Sequence, residues 1–528
     1  MAMTRKTLAA FGTAMGSLGW AAALAIALSG CASLPVVTDK SVSQVLADTQ
    51  ATRLGRTAEQ LVRDHPGQSG FLAMGDGRQA FATRMRLADL AERSIDLQTY
   101  IFHADDTGML MFDRLKRAAD RGVRVRLLLD DNNTAGLDPI IAMLDAHPHI
   151  EVRLFNPFAN RRFRMAGYAT DFSRLNRRMH NKSFTVDNQA TVVGGRNIGD
   201  EYFQAGQGTT FADLDVLAIG GIVGEVSSLF DRYWRSASAY PAASMVGDTA
   251  PIDAKAFDAG VRLIQEAPQA AAYIQALLNA PQVQDLMAGR AQVEWATVRL
   301  IYDDPEKVLN PTDRLDLQMT PQLEATLGKP ATALDLVSPY FVPGEAFALA
   351  LQQMAQRGVR VRILTNSLAA TDVTAVHAGY AKWRKELLRA GVVLLELKPS
   401  AVPLSKKSGE TDKPKGGPGG SSKASLHAKT FGVDGQRIFV GSFNLDPRSA
   451  RLNTEMGVVI DSPRFATDLA VALDRAPQAA AYVVRLTAEG ELEWIDGDGT
   501  VYTTEPQTGA MRRATVQVLS WLPIEWML

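Results

Sequence analysis

Two eight-residue stretches in this chain are copies of one another, and they limit its fold more than any other feature. His180-Asn181-Lys182-Ser183-Phe184-Thr185-Val186-Asp187 and His427-Ala428-Lys429-Thr430-Phe431-Gly432-Val433-Asp434 both read H-x-K-x4-D. An asparagine follows each histidine 17 residues on, Asn197 in the first case and Asn444 in the second. By residue frequencies one such match arises by chance in a chain this long roughly once in a hundred. Two, with matched asparagines, mark a duplicated unit whose copies build one site.

The flanking sequence repeats the same plan. Ile95 to Phe102 is β-branched and aromatic and predicts a strand. Asp105 to Arg121 predicts a helix, with Asp and Thr at its start and Gly122 just past its end. Val123 to Leu129 predicts the next strand, and a strand-helix-strand order implies a right-handed crossover and a parallel pair. In the second half Leu334 to Phe341 mirrors the first strand, and Arg357-Gly358-Val359-Arg360-Val361-Arg362 is identical to Arg121-Gly122-Val123-Arg124-Val125-Arg126. Each unit is far longer than a solenoid repeat, so the chain reads as two α/β domains. The expected layout is a first domain over 66–240, a helix-leaning connector over 241–325 and a second domain over 326–528. A mobile Gly/Pro/Lys-rich loop is expected at 404–425, because that composition buries no apolar surface.

The start of the chain is of another kind. Arg5 and Lys6 precede an apolar run from Leu8 to Leu28, and Leu28-Ser29-Gly30-Cys31 closes it. A charged start, an apolar core and small residues at a boundary make a secretory signal over 1–31. Cys31, the one cysteine, is then a lipidation site of the bacterial lipoprotein kind, followed by a polar spacer over 32–65. The body is expected to be tethered to a membrane and to face the periplasm, with the choice of inner or outer membrane open. A formal net charge of −1 argues against the broad basic field of a nucleic-acid binder, so no nucleic-acid partner is expected.

The chemistry lies in the motifs. Placed on a strand, His and Lys two apart share a face. A hairpin turn follows at Asp187-Asn188 and at Asp434-Gly435, and the return strands lead to Asn197 and to Ser442 and Asn444. Asp187 and Asp434 are therefore expected to hold the turn rather than to react. Histidine, lysine and asparagine are not a metal-ligand set, so no metal and no cofactor are expected. The set suits a phosphodiester: lysine and amide groups stabilise the charge on phosphorus oxygens, one neutral histidine attacks, and the other, protonated, serves the leaving group. Two like groups in opposite protonation states require environments that push their pKa values apart. Either histidine can be the nucleophile on this reading. His65, His103, His147, His149 and His377 read as ordinary core or surface residues.

The two H-x-K-x4-D motifs, with Gly194-Gly195-Arg196-Asn197 and Gly441-Ser442-Phe443-Asn444, resemble the phospholipase D superfamily. Asp213-Leu214-Asp215-Val216, Ser338-Pro339-Tyr340-Phe341 and Leu522-Pro523-Ile524-Glu525 are most similar to the C-type bacterial cardiolipin synthases within it. The resemblance implies two α/β/α sandwich domains with mixed sheets, related by a pseudo-two-fold axis, with the site at their interface. It implies transfer of a phosphatidyl group to phosphatidylglycerol, with phosphatidylethanolamine as a possible donor. Hydrolysis to phosphatidic acid, or a phosphodiesterase or nuclease activity, would use the same residues. Carried over, it gives His180, Lys182, Asn197, His427, Lys429, Ser442 and Asn444, with His180 as the nucleophile. It also implies acids that orient the histidines, a place that Glu455 and Asp213 fit. Finally, Arg161, Arg162, Arg164, Arg174, Arg177 and Arg178, interleaved with Phe158, Tyr168 and Phe172, suit a surface that meets anionic headgroups.

Overall fold

The computed structural model describes residues 34–37, 40–205, 210–268, 273–275, 282–399 and 424–528. The signal segment with Cys31, and the expected loop up to residue 423, lie outside the described residues. Ala424 and Ser425, which the sequence reading gave to that loop, instead open a strand. Among the described residues no helix is long and apolar enough to cross a membrane.

The chain contributes β1 (Ser69–Met74), β2 (Ser94–Ile101), β3 (Arg124–Asn133), β4 (Ile150–Phe155), β5 (Ser183–Val186), β6 (Ala190–Gly194), β7 (Thr210–Ala212), β8 (Asp215–Gly220), β9 (Ala239–Pro241) and β10 (Glu294–Ala296). There follow β11 (Val298–Tyr302), β12 (Ala333–Val337), β13 (Arg360–Asn366), β14 (Val393–Leu397), β15 (Ala424–Leu426), β16 (Thr430–Val433), β17 (Arg437–Gly441), β18 (Met456–Ile460), β19 (Ala481–Leu486), β20 (Leu492–Ile495) and β21 (Val501–Tyr502). All but β7 and β15 form two mixed sheets, β10-β1-β8-β6-β5-β2-β3-β4-β9 and β11-β18-β17-β16-β12-β13-β14-β19-β20-β21. From β1 to β4 in the first order, and from β11 to β14 in the second, the strands correspond one for one. The parallel pairs fall at β2-β3-β4 and again at β12-β13-β14, as the crossover rule predicts.

The shared hexapeptide has a structural cause. Asp96 lies opposite Arg126 across the β2-β3 pair, and Asp335 lies opposite Arg362 across β12-β13. Each arginine grips its aspartate with two bonds, at 2.7 and 2.8 Å in the first half and 2.7 and 3.0 Å in the second. A charge this deep is tolerated only when it is paired. The preceding helices, Asp106–Asp120 and Gly344–Gln356, run out shortly before Gly122 (φ 89°) and Gly358 (φ 88°), a left-handed backbone that glycine enters without strain.

Two features depart from the expected layout. The stretch 241–325 is not only helical: β10 extends the first sheet beyond β1, and β11 pairs with β18 in the place that β1 takes beside β8. The second repeat thus gathers its first strand from upstream of residue 326. A short strand with one partner carries too few residues for periodicity to betray it. The strand expected over Leu334–Phe341 stops at Val337, and Phe341 makes a separate bridge to Leu445.

Helices Gly77–Leu90 and Asp106–Asp120 cover one face of the first sheet, with Phe81, Phe112 and Leu115 packed against Leu97, Val125 and Leu127. The other face meets helix Gly221–Arg235 and, across the interface, Val440, Val458 and Ile460 of the second sheet. One apolar core therefore spans both halves. β7 and β15 pair in parallel across the same boundary.

Candidate active site

Each histidine stands just ahead of its strand rather than on it, since β5 opens at Ser183 and β16 at Thr430. The backbone at these positions is paired with the opposite half instead. His180 N donates to Thr454 O at 2.8 Å, and Met179 bridges Thr454. His427 N donates to Ala212 O at 2.8 Å, directly after the β15-β7 pair. Behind each histidine a polar side chain at the end of a central strand fixes the preceding residue. Asp130 of β3 accepts from Met179 N at 2.8 Å, and Asn366 of β13 accepts from Leu426 N at 2.8 Å. Both lie four residues past the last arginine of the shared hexapeptide, Arg126 or Arg362, a place that the H-x-K-x4-D motifs do not include.

The acids cross over. His180 Nδ1 lies 2.8 Å from Glu455 Oε2, and His427 Nδ1 lies 2.6 Å from Asp213 Oδ2. Each histidine is therefore held by a carboxylate of the other half, carried on the residue after the backbone partner just described. The two supports are built differently. Glu455 accepts from Ser442 Oγ at 2.5 Å, and Ser442 Oγ in turn accepts from Met456 N at 3.0 Å. The Ser442 hydroxyl thus donates to Glu455 and ties that acid to the start of β18. In the first half Gly195 takes the equivalent place, and a Cβ there would come within 2.2 Å of Asp213 Oδ1. The absent side chain makes room for the aspartate.

The lysines sit with their own histidines. Lys182 Nζ donates to His180 O at 2.6 Å; Lys429 Nζ donates to His427 O at 2.5 Å and lies 2.9 Å from His427 Nδ1. Burial pulls Lys182 down to about 7 and Lys429 to about 8. Burial, then the ammonium charges of Lys182 and Lys429, holds His180 well below the histidine range. Burial and Lys429 bring His427 to about 4, with Asp213 pulling the other way. Both lysines bear on His180, so the two motifs share one site. The expected opposition between the two histidines does not appear, because burial and the same cations depress both. The contrast lies in the acids. Burial raises Glu455 to about 7. Burial would also raise Asp213, but the charge and hydrogen bond of His427, then Lys429 and Arg196, keep it below the carboxylate range.

Asn197 is fully buried; its Oδ1 accepts from Ile101 N at 3.2 Å, and its Nδ2 has no hydrogen-bond partner among the described residues. Asn444 is buried with its Oδ1 in the same condition. An unpaired buried amide is costly, which fits groups kept for a ligand. Asp187 and Asp434 are engaged elsewhere. Asp187 accepts from the backbone N of Glu92, Arg93 and Ser94, and Asp434 from that of Ala331, Thr332 and Ala333. Both are in left-handed backbone, at φ 52° and 53°.

The arginine-rich stretch is mostly turned inward. Arg161 pairs with Asp131 and Asp138, Arg174 with Asp171, and Arg178 with Asp130. Arg177 reaches backbone carbonyls near residue 310, and Arg164 donates to Asp131 O at 2.8 Å. Of the six, Arg162 is left exposed. Alternation of charge with aromatic residues could not reveal the partners of Arg161 and Arg178, because Asp130, Asp131 and Asp138 come from earlier elements.

A twice-repeated mixed sheet meeting over two histidine-lysine pairs, each histidine backed by an acid, defines an enzyme of the phospholipase D type. The chain belongs to the phospholipase D superfamily: the family described as "Cardiolipin synthase, PLD-like domain" matches residues 85–234 and 323–476. It is 46% identical to Cardiolipin synthase C of Escherichia coli over 90% of this chain and all of that one. To Cardiolipin synthase B of the same species it is 25% identical over 74% of this chain and 76% of that one. Among solved structures it is similar to the phosphatidylserine synthase of Haemophilus influenzae, with a TM-score of 0.55 over 90% of this chain and 100% of that one at 12% identity, a likeness of fold. The resemblance read from the motifs, and the duplicated α/β architecture it implied, are borne out.

Proposed function

We propose that this enzyme is a phosphatidyltransferase of the cardiolipin synthase kind, acting through a phosphohistidine and transferring a phosphatidyl group to phosphatidylglycerol. The observation that carries the reaction type is the crossed pair of histidine-acid contacts. Two imidazoles in one site are each fixed at Nδ1 by a carboxylate of the other half; Nε2 of His180 is left for the substrate, while Nε2 of His427 lies 3.1 Å from Lys429 Nζ, which a bound phosphodiester would draw away. The near-complete match to Cardiolipin synthase C supports the substrate class.

His180 is the nucleophile. Its Nε2 lone pair bonds to phosphorus, the bond from phosphorus to the departing headgroup oxygen breaks, and His427 gives that oxygen its proton. The acceptor hydroxyl then attacks the phosphohistidine, its proton passes to His427, and the nitrogen-phosphorus bond breaks. Lys182 and Lys429, with the Asn197 and Asn444 amides, meet the charge on the non-bridging oxygens. The assignment follows the acids. Asp213 is ionised and favours an imidazolium at His427, whereas Glu455, near half-protonated at neutral pH, leaves His180 neutral. A bound phosphodiester anion offsets the lysine charges and lifts His427 out of its depressed range, so the substrate itself loads the acid.

The membrane supplies both substrates. Residues 1–31 anchor the chain as a lipoprotein through Cys31, facing the periplasm, with phosphatidylethanolamine or a second phosphatidylglycerol as donor. Hydrolysis to phosphatidic acid is the second reading, favoured by the slight solvent exposure of both histidine side chains, 9% and 12%. Lipid mass spectrometry in a bacterial host without its own cardiolipin synthases separates the two. Expression is expected to restore cardiolipin, and His180→Ala or His427→Ala to abolish it. Phosphatidic acid without cardiolipin would replace transfer by hydrolysis.

A further inference from the structure

The rim of the site carries apolar side chains that the fold leaves bare. Helix Ala510–Ser520 turns Val516 inward against Leu368 and Ala378. Met511 (82% exposed) and Val518, seven residues or two turns apart, stand on its solvent side, with Trp521 (72%), Leu522 and Trp526 just beyond its end. In the other half, Phe163 (69%), Met165 (78%) and Phe172 stand out from the helices Arg164–Thr170 and Phe172–Leu175 and the turn before them.

One side chain joins the two patches. Arg448 donates from Nε to Met527 O at 2.9 Å and from its Nη atoms to Asn176 O at 3.0 Å and Asn176 Oδ1 at 2.7 Å. Asn176 ends the helix that holds Phe172, and Met527 follows Trp526. The combined surface also borders the reacting centre. Tyr168 Oη donates to Asn132 Oδ1 at 2.6 Å, Asn132 Nδ2 donates to Tyr100 Oη at 3.3 Å, and the Tyr100 ring meets His180 edge-on with centroids 5.0 Å apart.

We propose that this two-part surface is a docking face that sinks into the headgroup-acyl boundary of a phospholipid bilayer and holds the mouth of the site against it. The inference rests on the phosphatidyl-transfer reading for the identity of its substrate, and on geometry for the surface itself. Tryptophan and methionine on a helix flank, without acids between them in the stripe, suit the interfacial layer, where an amphipathic ring lies with one end wet. The route of the chain favours a bilayer over a second copy. Lys40 Nζ is held by Ser236 O at 2.9 Å; two residues on, Ser238 O accepts from Asn156 N at 2.7 Å; and Asn156 Nδ2 holds Arg174 O at 2.9 Å. The chain thus enters the described fold beside the Phe172 patch. The nine residues from Cys31 to Lys40 span at most about 30 Å, so an anchor at Cys31 keeps this rim near the membrane.

The test uses the full chain in vesicles of phosphatidylglycerol and phosphatidylethanolamine whose acyl chains carry bromine, a quencher of tryptophan. Quenching in the unsubstituted protein is expected to fall by at least half in a Trp521→Phe/Trp526→Phe variant, which keeps the apolar surface intact. Unchanged quenching would overturn the proposal. So would a detergent-solubilised dimer whose association is lost in a Trp521→Ser/Trp526→Ser variant, since that assigns the face to a second copy. A Phe163→Ser/Met165→Ser/Trp521→Ser variant is expected to lose about tenfold in turnover of vesicle lipid. Its turnover of a monomeric short-chain phosphatidylglycerol should stay unchanged; equal loss on both substrates would overturn the docking role, since it means damage to the site. Absence of any phospholipid turnover by the unsubstituted protein would sink the transfer reading while leaving the quenching result to stand or fall alone.

Discussion

The two half-sites carry the same histidine and lysine but are closed by different acids. His427 faces an aspartate that stays ionised and is given room by Gly195; His180 faces a longer glutamate that titrates near neutrality and needs Ser442 to hold it. A duplicated gene product begins with two equal copies, yet the reaction needs one nucleophile and one acid. Among the site residues the copies differ in the acid and in Gly195 against Ser442, while histidine, lysine and asparagine are the same in both.

The sharpest break in this comparison is chemical trapping. His180→Asn and His427→Asn are each expected to lower transfer by about a thousandfold or more. A phosphorylated intermediate at His180 should nevertheless accumulate in the His427→Asn protein after a short pulse of labelled substrate. A label at His427 in the His180→Asn protein instead would reverse the roles.

Removal of the acid charges comes next. Asp213→Asn takes away a full charge beside His427 and is expected to cost on the order of a thousandfold in kcat, as for an acid that supports a charged imidazole. Glu455→Gln removes a charge only partly present at neutral pH and should cost about ten- to a hundredfold. Equal losses would show that the two supports are interchangeable.

The pH profile reads the same asymmetry with less force. The lysines act as cations, so kcat/KM is expected to fall as pH rises through the region of about 7 to 8 where Lys182 and Lys429 lose their protons. Glu455 accepts best when ionised, so activity should also fall as pH drops through about 7. Since Lys182 and Glu455 interact, the limbs belong to the pair. Glu455→Gln should flatten the acidic limb and spare the alkaline one, and stopped assays across pH 5–9 would check this.

The smallest effects are expected at the aspartates that close the motifs. Asp187→Ala should lower stability by about 2–3 kcal/mol and Asp434→Ala by about 1–2 kcal/mol in urea melts, because Asp187 is the more deeply buried of two acceptors for three backbone donors. Folded enzyme should keep its turnover within about threefold in both cases. A large loss of turnover in folded protein would return these acids to the chemistry.

Much of this was legible in order along the chain. The hexapeptide with its glycine marked the helix end and the central strand twice, and the hairpin turns after the motifs showed in Asp187-Asn188 and Asp434-Gly435. The candidates Glu455 and Asp213 came from the resemblance, which implies acids that orient the histidines. What they bind was not legible. Their histidines lie 275 and 214 residues away, across the interface, and nothing local distinguishes a crossed pair from an uncrossed one. Arg161 and Arg178 misled for a like reason, since their acids, Asp131, Asp138 and Asp130, come from earlier elements of the chain. The strand β11 escaped notice because its partner, β18, comes more than 150 residues later.

The sequence by itself determined that the fold is duplicated, which residues repeat, and what chemistry histidine, lysine and asparagine together favour. Those follow from local pattern and from residue type. Only the tertiary structure decided that each histidine is served by the other half, that Ser442 supports an acid, and that two identical motifs become unequal. The reason is physical: protonation answers to burial and to charges a few ångströms away, and those neighbours are brought together by packing across the shared core.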